Sequence, residues 1–316
     1  MPELDQGRKH LLRRVVTVVF LVAVVVLAAQ QIWTRRVALG DALSALAVSN
    51  VVASLLFACL GVFGTMLSWR EMLAAFGAPL SVRECSRIYF LGQLGKYLPG
   101  SVWPVVAQAE LARRTGTGRT VTVAANLVSM VANLATGVLL GFACLPFTSA
   151  SVFHKVWWLL LALPVLLACL HPRVIMAGVN FVLRIAKRAP LPQTIDSVRL
   201  LRAIGVGLVA WLMLGAHVYF LVASLSHHGL AVYAASVGAI TLATTAGLLF
   251  IPAPAGAGIR EIVLTLALAP VLTSAQALSV ALVSRVALIL VDFLFGGGQA
   301  LFTRQRVAPA PTKVDV

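Results

Sequence analysis

A chain of 316 residues that is 60% hydrophobic, only 11% charged and has a mean hydropathy of +0.97 lacks the polar surface a soluble domain of this length needs. The formal net charge of +15 lies mostly in short segments beside apolar runs. It reads as topology signal and attraction to anionic lipid, and no nucleic-acid partner is expected.

Taken in chain order, residues 1–14 form a basic N-terminus carrying Arg8, Lys9, Arg13 and Arg14. The apolar run from Val15 to about Trp33 is too long for a signal-peptide core and lacks a clean small-residue cleavage site. We expect it to be a first, uncleaved span. Crossing the hydrocarbon core takes roughly 20 apolar residues. By that measure 15–33, 43–68, 119–145, 155–171, 203–225 and 276–302 are full spans. Two further regions, 87–112 and 232–272, are long enough but broken by proline and glycine.

Between the halves, Arg173, Asn180, Arg184, Lys187 and Arg188 fall near one helical stripe, while Val174, Ile175, Phe181, Val182 and Ile185 fill much of the rest. That pattern predicts an amphipathic helix over 173–188 lying on the inner leaflet, ended by Pro190 and Pro192. Residues 303–316 form a polar cytoplasmic tail. The cysteines (Cys59, Cys85, Cys144, Cys169) show no metal or redox spacing and read as small packed residues, so neither metal nor cofactor is expected.

Charge placement sets the threading. With the N-terminus in the cytoplasm, Arg70, Arg83 and Arg87 precede the first broken region, and Arg113, Arg114 and Arg119 follow it. Basic residues on both sides mean that it enters and leaves from the cytoplasmic face. The second broken region runs between Ser226-His227-His228-Gly229 and Thr273-Ser274-Ala275, neither holding Lys or Arg, so it enters from outside. The expected fold is an all-α polytopic membrane protein with about six full spans plus two opposed re-entrant helical hairpins. It forms a single transmembrane domain over 15–302, with both termini cytoplasmic and the cell membrane as its location.

The breaks carry the chemistry. In Gly95-Lys96-Tyr97-Leu98-Pro99-Gly100-Ser101-Val102-Trp103-Pro104, proline removes a donor and glycine permits the turn, so a half-helix should start near Ser101. Its free N–H groups, with Lys96 beside them, suit a phosphate. The plain alternative is that Lys96 snorkels to the interface and the break only shapes packing. In the second break, Pro252 and Pro254 end one half-helix, Gly256 and Gly258 allow close approach, and Ile259-Arg260-Glu261 opens another. Arg260 at membrane depth needs a cavity or a partner, and Glu261 reads as the cap of the new half-helix.

On the last span, Arg285 and Asp292 share a face about 10 Å apart, too far for a direct pair, so at least one reaches another helix. Asp292 either balances Arg260 or Lys96, or binds a proton or cation. Glu110 is expected to pair locally with Arg113 and Arg114, and Asn126 and Asn133 either to pack or to line a cavity. His217 and Tyr219 read as satisfied helix-interface residues, and Gly296-Gly297-Gly298 as a site of close helix approach.

At Gly92-Gln93-Leu94-Gly95-Lys96-Tyr97-Leu98-Pro99-Gly100-Ser101-Val102-Trp103-Pro104 and Pro254-Ala255-Gly256-Ala257-Gly258-Ile259-Arg260-Glu261 the chain resembles the lysylphosphatidylglycerol synthase transmembrane-domain family of flippase-like membrane proteins. The second segment looks like the family's Pro-Gly-Gly-x-Gly-x-Arg-Glu pattern, with Ala255 in place of the first glycine. The resemblance implies movement of an anionic or aminoacylated phospholipid, or of a polyprenyl-phosphate-linked glycan precursor, between leaflets. It also implies work beside a separately encoded glycosyltransferase or lipid-modifying enzyme. The expected substrate site comprises Lys96, Tyr97, Pro99, Gly100, Ser101, Trp103, Pro254, Gly256, Gly258, Arg260, Glu261, Arg285 and Asp292. A membrane-embedded transferase or accessory subunit is the competing expectation, weakened by the spread of Glu110, Glu261 and Asp292 over three elements. The lipid, the energy source and whether the chain forms a homo-oligomer are left open.

Overall fold

In the computed structural model the described residues are 46–98, 102–148, 170–185, 195–250 and 254–304, with a few isolated positions besides. Spans 15–33 and 155–171, residues 1–14 and all of the tail past Arg304 lie outside those residues, or nearly so. Every element found among the described residues is helical: α1 (Val48–Ala75), α2 (Val82–Gln93), a 3-10 turn at Leu94–Tyr97, α3 (Trp103–Arg113), α4 (Arg119–Thr148), α5 (Pro172–Ile185), α6 (Ser197–Val222), α7 (Leu230–Leu249), a second 3-10 turn at Pro254–Gly256, α8 (Ile259–Leu268) and α9 (Ser274–Arg304).

Five of these, α1, α4, α6, α7 and α9, are long and apolar enough to cross a membrane. Three sequence boundaries move. The span expected at 43–68 runs instead to Ala75, because Arg70 and Glu71 pair with one another at 2.9 Å and Arg70 also donates to the Leu80 carbonyl at 2.9 Å, so the helix carries its charges past residue 68. The expected first half-helix starts at Trp103 rather than Ser101. α7 has the length of a complete span and packs against α8 as one arm of a hairpin.

Small residues set the central packing. α1 and α6 run antiparallel, Asp196 N–H donating to Ala75 O at 3.1 Å at one end and Asn50 to Ser224 Oγ at 3.0 Å at the other. Between them a Cβ on Gly61 would come within 2.7 Å of Leu214 Cγ, and one on Gly64 within 2.9 Å of Ala210 Cβ. Close backbone approach of this kind drives helix association where lipid supplies no hydrophobic force. α7 packs in the same way, Gly215 lying against Val237, and Gly137 and Gly141 against Thr245 and Leu242.

His217, wholly buried in α6, ties three helices: its Nδ1 is 2.7 Å from Ser54 Oγ of α1 and its Nε2 is 2.8 Å from Ser284 Oγ of α9. Trp69 donates to Asn126 at 3.1 Å and Trp211 to Thr136 at 3.2 Å, fixing α4 to α1 and α6. Of the three glycines at 296–298, Gly296 lies against Leu94, while a Cβ on Gly297 or Gly298 meets nothing within 4 Å among the described residues.

α2 and α3 form one hairpin, α7 and α8 another. Ser81 and Glu84 make a capping box at the start of α2, while Glu110 near the end of α3 binds Arg113 at 3.1 Å and also Arg119 at the start of α4. Those hydrogen bonds hold the Glu110 carboxyl down to about 2, so this link is present at neutral pH and lost only as pH falls towards that value. Both outer ends of the first hairpin therefore sit at the end of the bundle where α1 finishes and α4 and α6 begin. The second hairpin has its outer ends at the opposite end, with the 223–229 and 269–273 connections.

α5 is shorter than the expected 173–188 but keeps its pattern: Ile175 and Val179 are buried against the bundle, whereas Val174, Phe181, Val182 and Ile185 are exposed.

Replacing Gly64 by Leu should drive the new side chain into Ala210 and lower stability by about 1–3 kcal/mol. Gly205→Ala, on the same helix pair but facing open space, should be neutral or gain about 0.5–1 kcal/mol. Thermal unfolding in detergent micelles separates the two; equal melting shifts would contradict the close-packing account.

Candidate functional site

The two hairpin tips meet beside the middle of α9. Leu94, Tyr97 and Leu98 of the first tip pack with Ala255 of the second and with Ile289 and Phe293 of α9, and the Tyr97 and Phe293 rings stack with centroids 5.7 Å apart. Each tip is bent by local chemistry. In the first, Gly95 allows the 3-10 turn to lie on the start of α3, since a Cβ there would be 3.0 Å from Pro104 N. In the second, Ala255 has φ 48° and Gly256 φ 68°, so two successive residues take the left-handed region. For Ala255 that conformation is strained, and glycine would accept it freely.

Around the tips lies a cluster of charge drawn from three elements, the first 3-10 turn, α8 and α9. Lys96 Nζ is 2.6 Å from Asp292 Oδ2, and the Tyr97 hydroxyl donates to the same oxygen at 2.6 Å. Asp292 is only 6% exposed. Arg285, 9% exposed, donates from Nη1 to the Ala255 carbonyl at 2.7 Å and holds Nε 3.7 Å from Glu261 Oε1. The other Glu261 oxygen accepts the Gly258 N–H at 2.7 Å, capping α8. Arg260 takes a different position. Among the described residues its single hydrogen bond goes to the neutral Thr244 hydroxyl of α7 at 3.2 Å, and it is paired with no carboxylate.

The Arg260 stem is threaded between glycines. A Cβ on Gly247 would come within 2.6 Å of Arg260 Cγ, and one on Gly256 within 3.1 Å of the same atom and 2.8 Å of Gly247 Cα. A small cavity beside it is lined by Arg260, Glu261, Ser284 and Arg285, with Ile240, Ala243, Leu264, Ala281 and Leu288 supplying the apolar wall.

The residues singled out in the sequence distribute as follows. Lys96, Tyr97, Gly256, Gly258, Arg260, Glu261, Arg285 and Asp292 gather at the tips. Pro254 opens the second turn. Trp103 is 44% exposed at the start of α3. Pro99, Gly100 and Ser101 lie outside the described residues. Asp292 chooses Lys96 over Arg260, and Arg285 reaches Glu261, which resolves the partners left open by their separation along α9. Thr244 and Gly247 went unrecognised, because a threonine and a glycine inside an apolar run carry no signal of their own. Gln108 was missed likewise: buried, it fills the space left by Gly92 and joins the two arms of the first hairpin.

Five helices capable of crossing a membrane, packed through small residues and two broken hairpins, define a polytopic all-α membrane protein. The chain belongs to the family described as the lysylphosphatidylglycerol synthase TM region, which matches residues 14–296, nearly its whole length. Comparison with curated proteins finds no match.

Two substitutions test this geometry. Ala255→Gly should relieve the left-handed strain and stabilise the fold by about 1 kcal/mol in the same melting assay. Asp292→Ala should cost about 3–5 kcal/mol by stranding Lys96, and the Lys96→Met, Asp292→Ala pair should recover most of that loss. An additive double variant would show that the two side chains do not depend on one another.

Proposed function

We propose that the protein is a lipid translocase that moves a lipid with an anionic head group between the leaflets of the cell membrane. One observation carries this reading: two irregular tips entering from opposite ends meet around three cations, of which Arg260 has no carboxylate partner among the described residues. Broken helices whose ends face a shared interior are the usual construction of a transport site. A half-buried cation without an anion at membrane depth is costly unless a ligand completes it.

In this reading both hairpins are re-entrant. The end of the bundle bearing Arg83, Arg87, Arg113, Arg114, Arg119, Arg199 and Arg202 faces the cytoplasm, because basic residues are retained there. The head group reaches the tips between the hairpins while its chains stay in lipid. Lys96 and Arg260 supply attraction, and Asp292 and Glu261 keep that attraction weak enough for release.

Reconstituted in liposomes with fluorescently labelled phosphatidylglycerol, the protein should equilibrate lipid between leaflets faster than protein-free vesicles. Lys96→Ala and Arg260→Ala should each slow this by about tenfold or more while the protein still inserts and folds. Absence of exchange for phosphatidylglycerol, aminoacyl-phosphatidylglycerol and polyprenyl-phosphate lipids alike would overturn the proposal and favour an accessory subunit of a lipid- or glycan-modifying enzyme.

A further inference from the structure

The charges at the tips can be counted, and the count constrains the ligand. Arg260, Arg285 and Lys96 contribute three positive charges; Asp292 and Glu261 contribute two negative ones. Arg285, Glu261 and Asp292 lie within electrostatic reach of Arg260, and Asp292, Arg260 and Arg285 within reach of Lys96, so the five ionised groups act as one cluster. His217, also within reach of Arg260, is occupied at both ring nitrogens by Ser54 and Ser284. The cluster is therefore one positive charge in excess, and that charge belongs to Arg260.

We propose that the Arg260 site selects a head group by charge, accepting a singly charged oxyanion such as a phosphodiester and discriminating against diphosphate lipids. This deepens, and rests on, the reading of the tips as a lipid head-group site. A monoanion beside Arg260 and the Thr244 hydroxyl brings the cluster to neutrality. A multiply charged anion reverses the excess instead, and an uncompensated negative charge in an apolar interior is as unfavourable as the positive one it replaces. Each carboxylate is already engaged by a cation and by a hydroxyl or N–H donor, so neither can move aside without stranding its partner. The guanidinium fork matches the planar spacing of two oxygens on one phosphorus, whereas Lys96 presents a point charge already bound to Asp292.

The prediction is a change of preference that a purely structural role could not produce. Binding of dioctanoyl-phosphatidylglycerol and of farnesyl diphosphate to the purified full chain in detergent would be measured by native mass spectrometry and checked by thermal shift. The parent should bind the phosphodiester about tenfold or more tightly than the diphosphate. Arg260→Gln should abolish that preference and weaken phosphodiester binding by at least a similar factor, about tenfold. Glu261→Gln, which keeps an oxygen for the Gly258 N–H, and Asp292→Asn each raise the excess by one charge and should swing preference towards the diphosphate. Using both guards against one variant failing to fold.

Equal affinity for the two probes in the parent, tighter diphosphate binding, an unchanged Arg260→Gln profile, or no binding of either probe would each overturn the assignment. The experiment needs no second leaflet. Charge-blind binding together with normal lipid exchange would therefore sink this inference alone, whereas charge-selective binding without exchange would sink the translocase reading alone.

Discussion

The structure depends on α9 holding two interrupted hairpin tips at once. A helix broken within an apolar interior leaves carbonyls and N–H groups that lipid cannot hydrogen-bond, so they must find partners inside the protein. Arg285 meets this need for the second tip by donating to the Ala255 carbonyl, while Asp292 holds the first tip by its side chains, pairing with Lys96 and receiving the Tyr97 hydroxyl. The two side chains are seven residues apart, one face and two turns of helix, which is the separation needed to serve one hairpin each. Moving either charge by one position would turn it away from its tip.

That arrangement makes the hairpins dependent on charge. α2, α3 and α8 have 12, 11 and 10 residues, lengths at which isolated helices are marginal even for good sequences. Their placement rests on contacts with the long helices and, at their inner ends, on the ion pairs. The rest of the bundle is held differently, by glycine-mediated contact between α1 and α6 and by the His217 bridge. Among the described residues no ion pair links the α1–α6 pair to the cluster, so a change at the tips acts first on the short elements.

Much of this was legible in the sequence, for identifiable reasons. Apolar length, proline–glycine breaks and the distribution of arginines are coarse signals that survive without knowledge of contacts, so the long helices α4, α6 and α9 and both hairpins could be read directly. The end of α1 could not, because Arg70 and Glu71 look like a boundary until their mutual pairing and the Leu80 carbonyl are seen. Partner choice was ambiguous for the same reason: Asp292 had Lys96 and Arg260 as equal candidates, and only tertiary geometry separates them. Ala255, where the family pattern carries glycine, reads as a mild relaxation in sequence but proves to be a left-handed residue whose carbonyl anchors Arg285. Gly247 was invisible because its role is to let another residue's stem pass.

The same geometry breaks an apparent equivalence between the two cations. Read from sequence, Lys96 and Arg260 are matching charges at matching breaks. In the fold, Lys96 carries its own counter-ion at 2.6 Å, whereas Arg260 hydrogen-bonds only a hydroxyl among the described residues. In the proposed translocase an arriving anion must compete with Asp292 for Lys96 but displaces no carboxylate from Arg260, so electrostatics gives a head group an order of engagement. It meets Arg260 first and reaches Lys96 only by displacing a carboxylate that is also held by Tyr97. On that reading an intact Lys96–Asp292 pair is the barrier that a head group bound at Arg260 must open to engage Lys96.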